Sequence, residues 1–180
     1  MRTSARWHQL TRRGKASTTT LGAFGIAAAL SLAQCAPSQC APTPAPAPAP
    51  APFGVVQQVV DITNARRAEH GLPALGLNGL LTNAAQAHSA DQAAANTMSH
   101  TGTDGSSPGD RIARAGYRFS AWGENVAAGY PDAASVMDGW MNSAGHRANI
   151  LNGTFTEIGI GLAHAANGAP YWTMELARPG

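Results

Sequence analysis

The sequence predicts an α+β fold in which helices stack on an antiparallel sheet. Two observations predict it. Apolar residues recur at helical spacing through the earlier part of residues 54–180, and near the C-terminus they alternate in FTEIGIGLA and YWTMELA. Between these two alternating runs stands Asn167-Gly168, a hairpin turn signal.

Taken in order, Phe53 to His70 places Val56, Val59, Val60 and Thr63 on one helical face, and Gly71-Leu72-Pro73 supplies a stop. Asn78 caps a second helix running to about Asn96, with Leu81, Ala84, Ala85, His88, Gln92 and Ala95 as its inner stripe. A third, short helix starts at Pro108, a residue suited to a first turn, and ends near Gly116. A fourth starts at Pro131, sets Val136 and Trp140 one turn apart, and leaves Ser143 at or just past its end. A short strand fits around Trp122 to Val126. In the closing hairpin, Ile158, Ile160 and Leu162 alternate with small residues, as in a strand packed closely against a neighbour, and Trp172, Met174 and Leu176 share one face.

The chain divides into a secretory signal region (1–35), a Pro/Ala-rich linker (36–53) and one globular domain (54–180). Arg2, Arg6, Arg12, Arg13 and Lys15 precede the apolar run Leu21 to Ala33, the order of an export signal. That run is too short and too rich in Gly and Ala to span roughly 30 Å of hydrocarbon, so no transmembrane helix is expected in the mature form. Leu32-Ala33-Gln34-Cys35 resembles a lipoprotein box, but Gln34 stands where a small residue is expected. APTPAPAPAPAP holds a backbone near polyproline II, a semi-rigid spacer of about 3.1 Å per residue, which suits a protein of the cell envelope.

The formal charge of +2 belongs to the signal region; from Gly54 onward seven arginines face ten acids, leaving −3, and there is no lysine. Nucleic acid is therefore excluded as a partner, because phosphate neutralisation needs clustered Lys or Arg. Cys35 and Cys40 are the two cysteines, so the domain folds without disulfides.

Five histidines fall in the domain. His70, beside a helix-ending glycine, and His164, near the hairpin turn, read as solvated structural residues. His100 lies in the polar loop MSHTGTDGSSPGDRI, Glu124 in WGENVAAGY, and His146 in GWMNSAGHRANIL. Two imidazoles and a carboxylate can form an open metal site that keeps a position for water or substrate, although no helical ligand spacing links them. His88, on the apolar face of the second helix, is either a further ligand or a hydrogen-bonded core histidine.

MSHTGTDGSSPGDRI, GENVAAGY and GWMNSAGHRANILNGTFTEIGIG, in this order, resemble the CAP superfamily, the group of SCP, cysteine-rich secretory, antigen 5 and pathogenesis-related proteins, and its bacterial branch above all. The resemblance runs from about Val59 to Leu176. It implies an α-β-α sandwich whose central cavity is lined by two histidines and two glutamates and in some members holds a divalent cation, often zinc. Carried over by position, these are His100, Glu124 and His146. Where eukaryotic members have a second glutamate, three residues after the tryptophan, this chain has Ser143 after Trp140, in the Trp-x-x-Ser-x-Gly-His form of bacterial members.

Two functions compete. One is a secreted or envelope-associated binding module, expected to be monomeric, for a small lipid, peptide or cell-wall ligand, able to take a divalent cation, zinc foremost, and needing no organic cofactor. The other is a hydrolase using the same cavity, either metal-assisted or of serine type with Ser143, His146 and Glu124 as catalytic candidates. No G-x-S-x-G elbow supports the serine variant. A third reading makes the histidines and glutamate a structural network that fixes loops over the sheet.

Overall fold

The computed structural model describes residues 52–180. The signal region, the lipoprotein box at Cys35 and nearly all of the linker lie outside the described residues. Nine elements follow in chain order: α1 (Pro52–Glu69), β1 (Gly76–Leu77), α2 (Gly79–Ala95), α3 (Pro108–Arg114), β2 (Phe119–Ala128), α4 (Ala133–Met141), α5 (Ala144–Ile150), β3 (Glu157–His164) and β4 (Pro170–Pro179). The strands form one sheet in the order β1-β3-β4-β2, with β1 parallel to β3 and the other pairs antiparallel.

Both faces of the sheet are covered. On one side α1, α4 and α5 close the main core, in which Val59, Trp140, Ile150, Ile158, Ile160, Trp172, Met174 and Leu176 are all buried. On the other, α2 and α3 pack Leu81, Ala84 and Ile112 against Tyr117 and Ala177. This is the α-β-α sandwich that the resemblance implies. The β3 repeat of isoleucine and glycine shows how one strand serves both layers. Ile158 and Ile160 enter the main core, while a Cβ at Gly159 or Gly161 would collide with the α2 backbone at Leu81 or Ala85. The glycines thus let a helix lie directly on the strand.

Local signals set most boundaries. The side chain of Asn78 accepts from Leu80 N and Leu81 N at the start of α2, and Asn96 ends it in the left-handed region at φ 50°. Ser107 and Asp110 form a capping box around Pro108. Gly71, at φ +70°, turns the chain after α1.

The structure amends several expectations. The fourth helix is capped by Asp132 and starts at Ala133, not at Pro131. The inner stripe of α2 continues through Ser89 and Ala93, and Ala95 is exposed. The strand expected around Trp122 to Val126 is longer, Phe119 to Ala128. Neither β1 nor α5 is foreseen. Two residues of strand carry too little pattern to read, and α5, a seven-residue helix with a glycine inside it, has Ile150 as its only buried residue.

Candidate functional site

The site grows around β2, an edge strand of the sheet. Successive residues of a strand point to opposite faces, so Glu124 and Asn125 serve different layers. Asn125 works toward α5: its Nδ2 donates to His146 O at 3.1 Å, and Asn149 Nδ2 donates to Asn125 Oδ1 at 2.9 Å and to Glu124 O at 3.1 Å. Gly123 allows this close docking, since a Cβ there would stand 2.9 Å from the Phe155 ring. Asn149 thus ties α5 to β2.

Glu124 belongs to the α2 layer, where it is 5 % exposed. The loop between α2 and α3 brings His100 to it, with Nδ1 2.7 Å from Oε1, and α3 supplies Arg111, with Nη2 2.5 Å from Oε2. Arg111 also donates to His100 O at 3.0 Å and to Ser106 O at 2.9 Å, so one buried guanidinium fixes both the carboxylate and the loop bearing the histidine. A carboxylate only accepts, so His100 Nδ1 carries a hydrogen, and Nε2 is the ring nitrogen left for a ligand.

His146 comes from α5, on the opposite layer. Burial, and then the positive charge of a protonated His100, lower its pKa from 6.5. The two histidines thus belong to different layers, His100 to the loop beside Glu124 and His146 to α5. His88 stands behind Glu124, buried in α2, with Nε2 3.9 Å from Glu124 Oε2 and 2.8 Å from Ser99 O. Burial lowers its pKa, against the opposing pull of Glu124.

Glu175 is the residue that sequence reasoning missed. It pairs with Glu124 across β2 and β4, is 0 % exposed, and neither of its oxygens has a hydrogen-bond partner among the described residues. Two ionised carboxylates have no proton to share, so the pair is stable only when one of them is protonated. Burial first, and the charge of Glu124 second, push the Glu175 pKa well up, which makes it the proton holder. The signal was present in YWTMELA: with Trp172, Met174 and Leu176 on one face, Glu175 must occupy the other, and that face is solvated only if no helix covers it.

Ser143, the remaining candidate, is the N-cap of α5, and its side chain makes no capping hydrogen bond. His70 bonds Arg66 O at the end of α1 and His164 is exposed at the end of β3, consistent with structural roles. Among the described residues no three His, Cys, Asp or Glu side chains form a group that could hold a metal ion, and no helix is long and apolar enough to cross a membrane. The donors at hand are two imidazoles, with Glu124 already bonded on both oxygens.

Comparison with known proteins agrees with this architecture. The profile of the cysteine-rich secretory protein family matches residues 60–176. The uncharacterized protein YkwD of Bacillus subtilis is 37% identical over 120 residues, 67% of this chain and 46% of that protein. An extracellular protein of Bacillus anthracis containing an SCP domain superposes with a TM-score of 0.64 at 36% identity, over 70% of this chain and 41% of that one. An outer surface protein of Borrelia burgdorferi shares the fold, with a TM-score of 0.64 at 19% identity over 69% of this chain and 92% of its own. The chain spans less than half the length of the two Bacillus proteins. With the family profile covering the sandwich from α1 to β4, this chain belongs to the cysteine-rich secretory protein (CAP) family.

Proposed function

We propose that the domain is an extracellular binding module whose site lies at the β2 edge and takes in His100, Glu124 and His146, and whose ligand is a peptide, a cell-wall fragment or a small apolar molecule. The observation that carries this reading is the state of Glu124. Both its oxygens are engaged, one by His100 and one by Arg111, so the acid orients its neighbours and is not free to serve as a general base. Serine-type hydrolysis has less support, because Ser143 starts a helix and lacks the strained strand-to-helix elbow that exposes a nucleophile. Export to the cell envelope is supported by the basic and apolar N-terminal segment, the Pro-Ala run and the extracellular relative from Bacillus anthracis.

A divalent cation, zinc foremost, would be held by the imidazoles of His100 and His146, with Glu124 fixing the His100 ring from behind. Such a cation would supply a Lewis acid open to a ligand oxygen. So few protein ligands make the site exchangeable, unlike a closed structural zinc centre. Burial keeps His146 neutral, and so competent as a donor, to below its usual pKa.

The test combines zinc titration calorimetry with retention on washed bacterial cell-wall sacculi and on lipid vesicles. Zinc binding should disappear in His100→Ala, in His146→Ala and with chelator present, while Glu124→Gln weakens it about tenfold, the cost of a lost orienting partner. Retention should fall in both histidine variants. The reading is overturned if the protein hydrolyses an ester or peptide and Ser143→Ala abolishes that activity, or if sacculi and vesicles are held equally by parent and variants.

A further inference from the structure

A cavity of about 420 Å³ opens between α2, the 103–106 loop and α3. His88, Asp91, Asp104, Arg111 and Arg114 line it, and neither His100 nor His146 does. Nothing in the proposed function uses it.

His88 gives this cavity its chemistry. Its side chain is 1 % exposed, and Nε2 sits 2.8 Å from Ser99 O. A carbonyl oxygen only accepts, so Nε2 carries the hydrogen, and in the neutral ring Nδ1 is a bare lone pair. That Nδ1 is buried and has no hydrogen-bond partner among the described residues. An unsatisfied buried acceptor costs about 1–3 kcal/mol, so a donor reaching this nitrogen would be favoured.

Asp91, one helical turn further along α2, sets Oδ2 4.0 Å from that nitrogen. The Asp91 carboxylate is held by Thr103, whose amide donates at 2.9 Å and whose hydroxyl donates at 2.5 Å. These bonds keep it ionised, its pKa lowered by the side-chain bond first and the backbone bond second. Among the described residues no arginine pairs with it, whereas Asp104 pairs with Arg114 at 2.8 Å and Glu124 with Arg111. The cavity therefore presents two acceptors side by side, one of them an uncompensated negative charge.

Two acceptors 4.0 Å apart are both reached at about 2.8 Å by one nitrogen whose bonds open to about 90°, near the tetrahedral spread of an ammonium group. A single N–H cannot satisfy both; a group with at least two hydrogens can. The Asp91 charge favours a cation over a neutral amide, and the confined volume favours a small one. A metal ion is the poorer fit, since only two ligands are offered and Asp91 is already bonded through both oxygens. We propose that this cavity is a binding site for a small primary ammonium ligand, either a simple amine or the amino group of an amino acid, with its nitrogen bridging His88 Nδ1 and Asp91 Oδ2.

The two sources differ at their other end. Arg111 also lines the cavity, and its buried Nε–H has no partner among the described residues, so a carboxylate beside the ammonium gains a donor that a bare amine leaves unused.

The experiment is an NMR titration of the full chain at neutral pH with ethylammonium, alanine, propionate and zinc, read at the His88 ring nitrogens. Ethylammonium or alanine should shift His88 Nδ1 saturably with Kd near 1 mM or tighter. Alanine binding more tightly than ethylammonium identifies the amino-acid source, and equal affinity identifies the simple amine. Asp91→Asn should weaken binding about tenfold, a loss of about 1.4 kcal/mol. Ala87→Phe, a change at an exposed position of α2 that lines the cavity, should block entry while melting like the parent. His100→Ala should leave the titration unchanged, which separates this site from the one at the β2 edge. The proposal is overturned if neither amine shifts His88, in which case water satisfies the nitrogen, if propionate or zinc competes for it, or if both substitutions leave the affinity intact.

Discussion

Glu175 shows what one residue can do from inside a sheet. Its carboxyl is buried opposite Glu124, and burial raises its pKa well above the ordinary 4.5, so the folded protein keeps a proton that the unfolded chain releases near that value. Unfolding at neutral pH therefore gives up a proton. Stability contributed by this group is present below about pH 4.5, falls as pH rises above it, and levels off once the folded carboxyl itself ionises. Glu175→Gln keeps a donor facing Glu124 and removes the titration. It should raise the urea midpoint at pH 8 and flatten its decline between about pH 5 and pH 8 relative to the parent. Equal slopes in the two proteins would mean that Glu175 is ionised in the fold. The opposite case is Arg111, a buried charge whose terminal nitrogens all find acceptors, and which orders the His100 loop as a result.

The site depends on how short elements are held, and α5 is the weakest of them. It spans seven residues and buries Ile150 alone, so helix propensity does not fix it. Arg67, fully buried in α1, does much of the anchoring. Its Nε donates to Pro73 O at 3.0 Å and Nη1 to Ile150 O at 2.7 Å and Asn152 O at 2.9 Å, gathering the end of α5 and the turn after it. A lysine offers a point charge in place of that fork. Arg67→Lys should cost about 3 kcal/mol by leaving buried carbonyls unmet, and hydrogen exchange at Leu151 and Asn152 should speed up before the rest of the fold opens. Exchange that stays as slow as in the parent would show that Asn125 and Asn149 hold α5 without Arg67. Because α5 carries His146, the same variant should loosen the placement of that imidazole, linking a buried contact in α1 to the affinity of the site.

At the scale of the whole molecule, a member of a family named for its cysteines folds with none in its domain. Two layers of core on one sheet replace covalent ties, so reductant should leave Tm unchanged in a thermal melt of the purified protein; a lowered Tm would implicate Cys35 and Cys40 in its stability. By itself the sequence determined the fold class, the stop after α1, the cap of α2 and the closing hairpin, and it nominated His100, Glu124 and His146 through the family motifs. Each is written locally, in a period, a cap or a motif. It left β1 and α5 unread because neither has length enough to show a period. Only the tertiary structure decided that both sheet faces are dry, which turns Glu175 from a solvated strand residue into a buried acid. It also decided that Arg111 and His100 both close on Glu124. These outcomes depend on strand pairing and helix docking between residues far apart in the chain, and no local pattern carries that information.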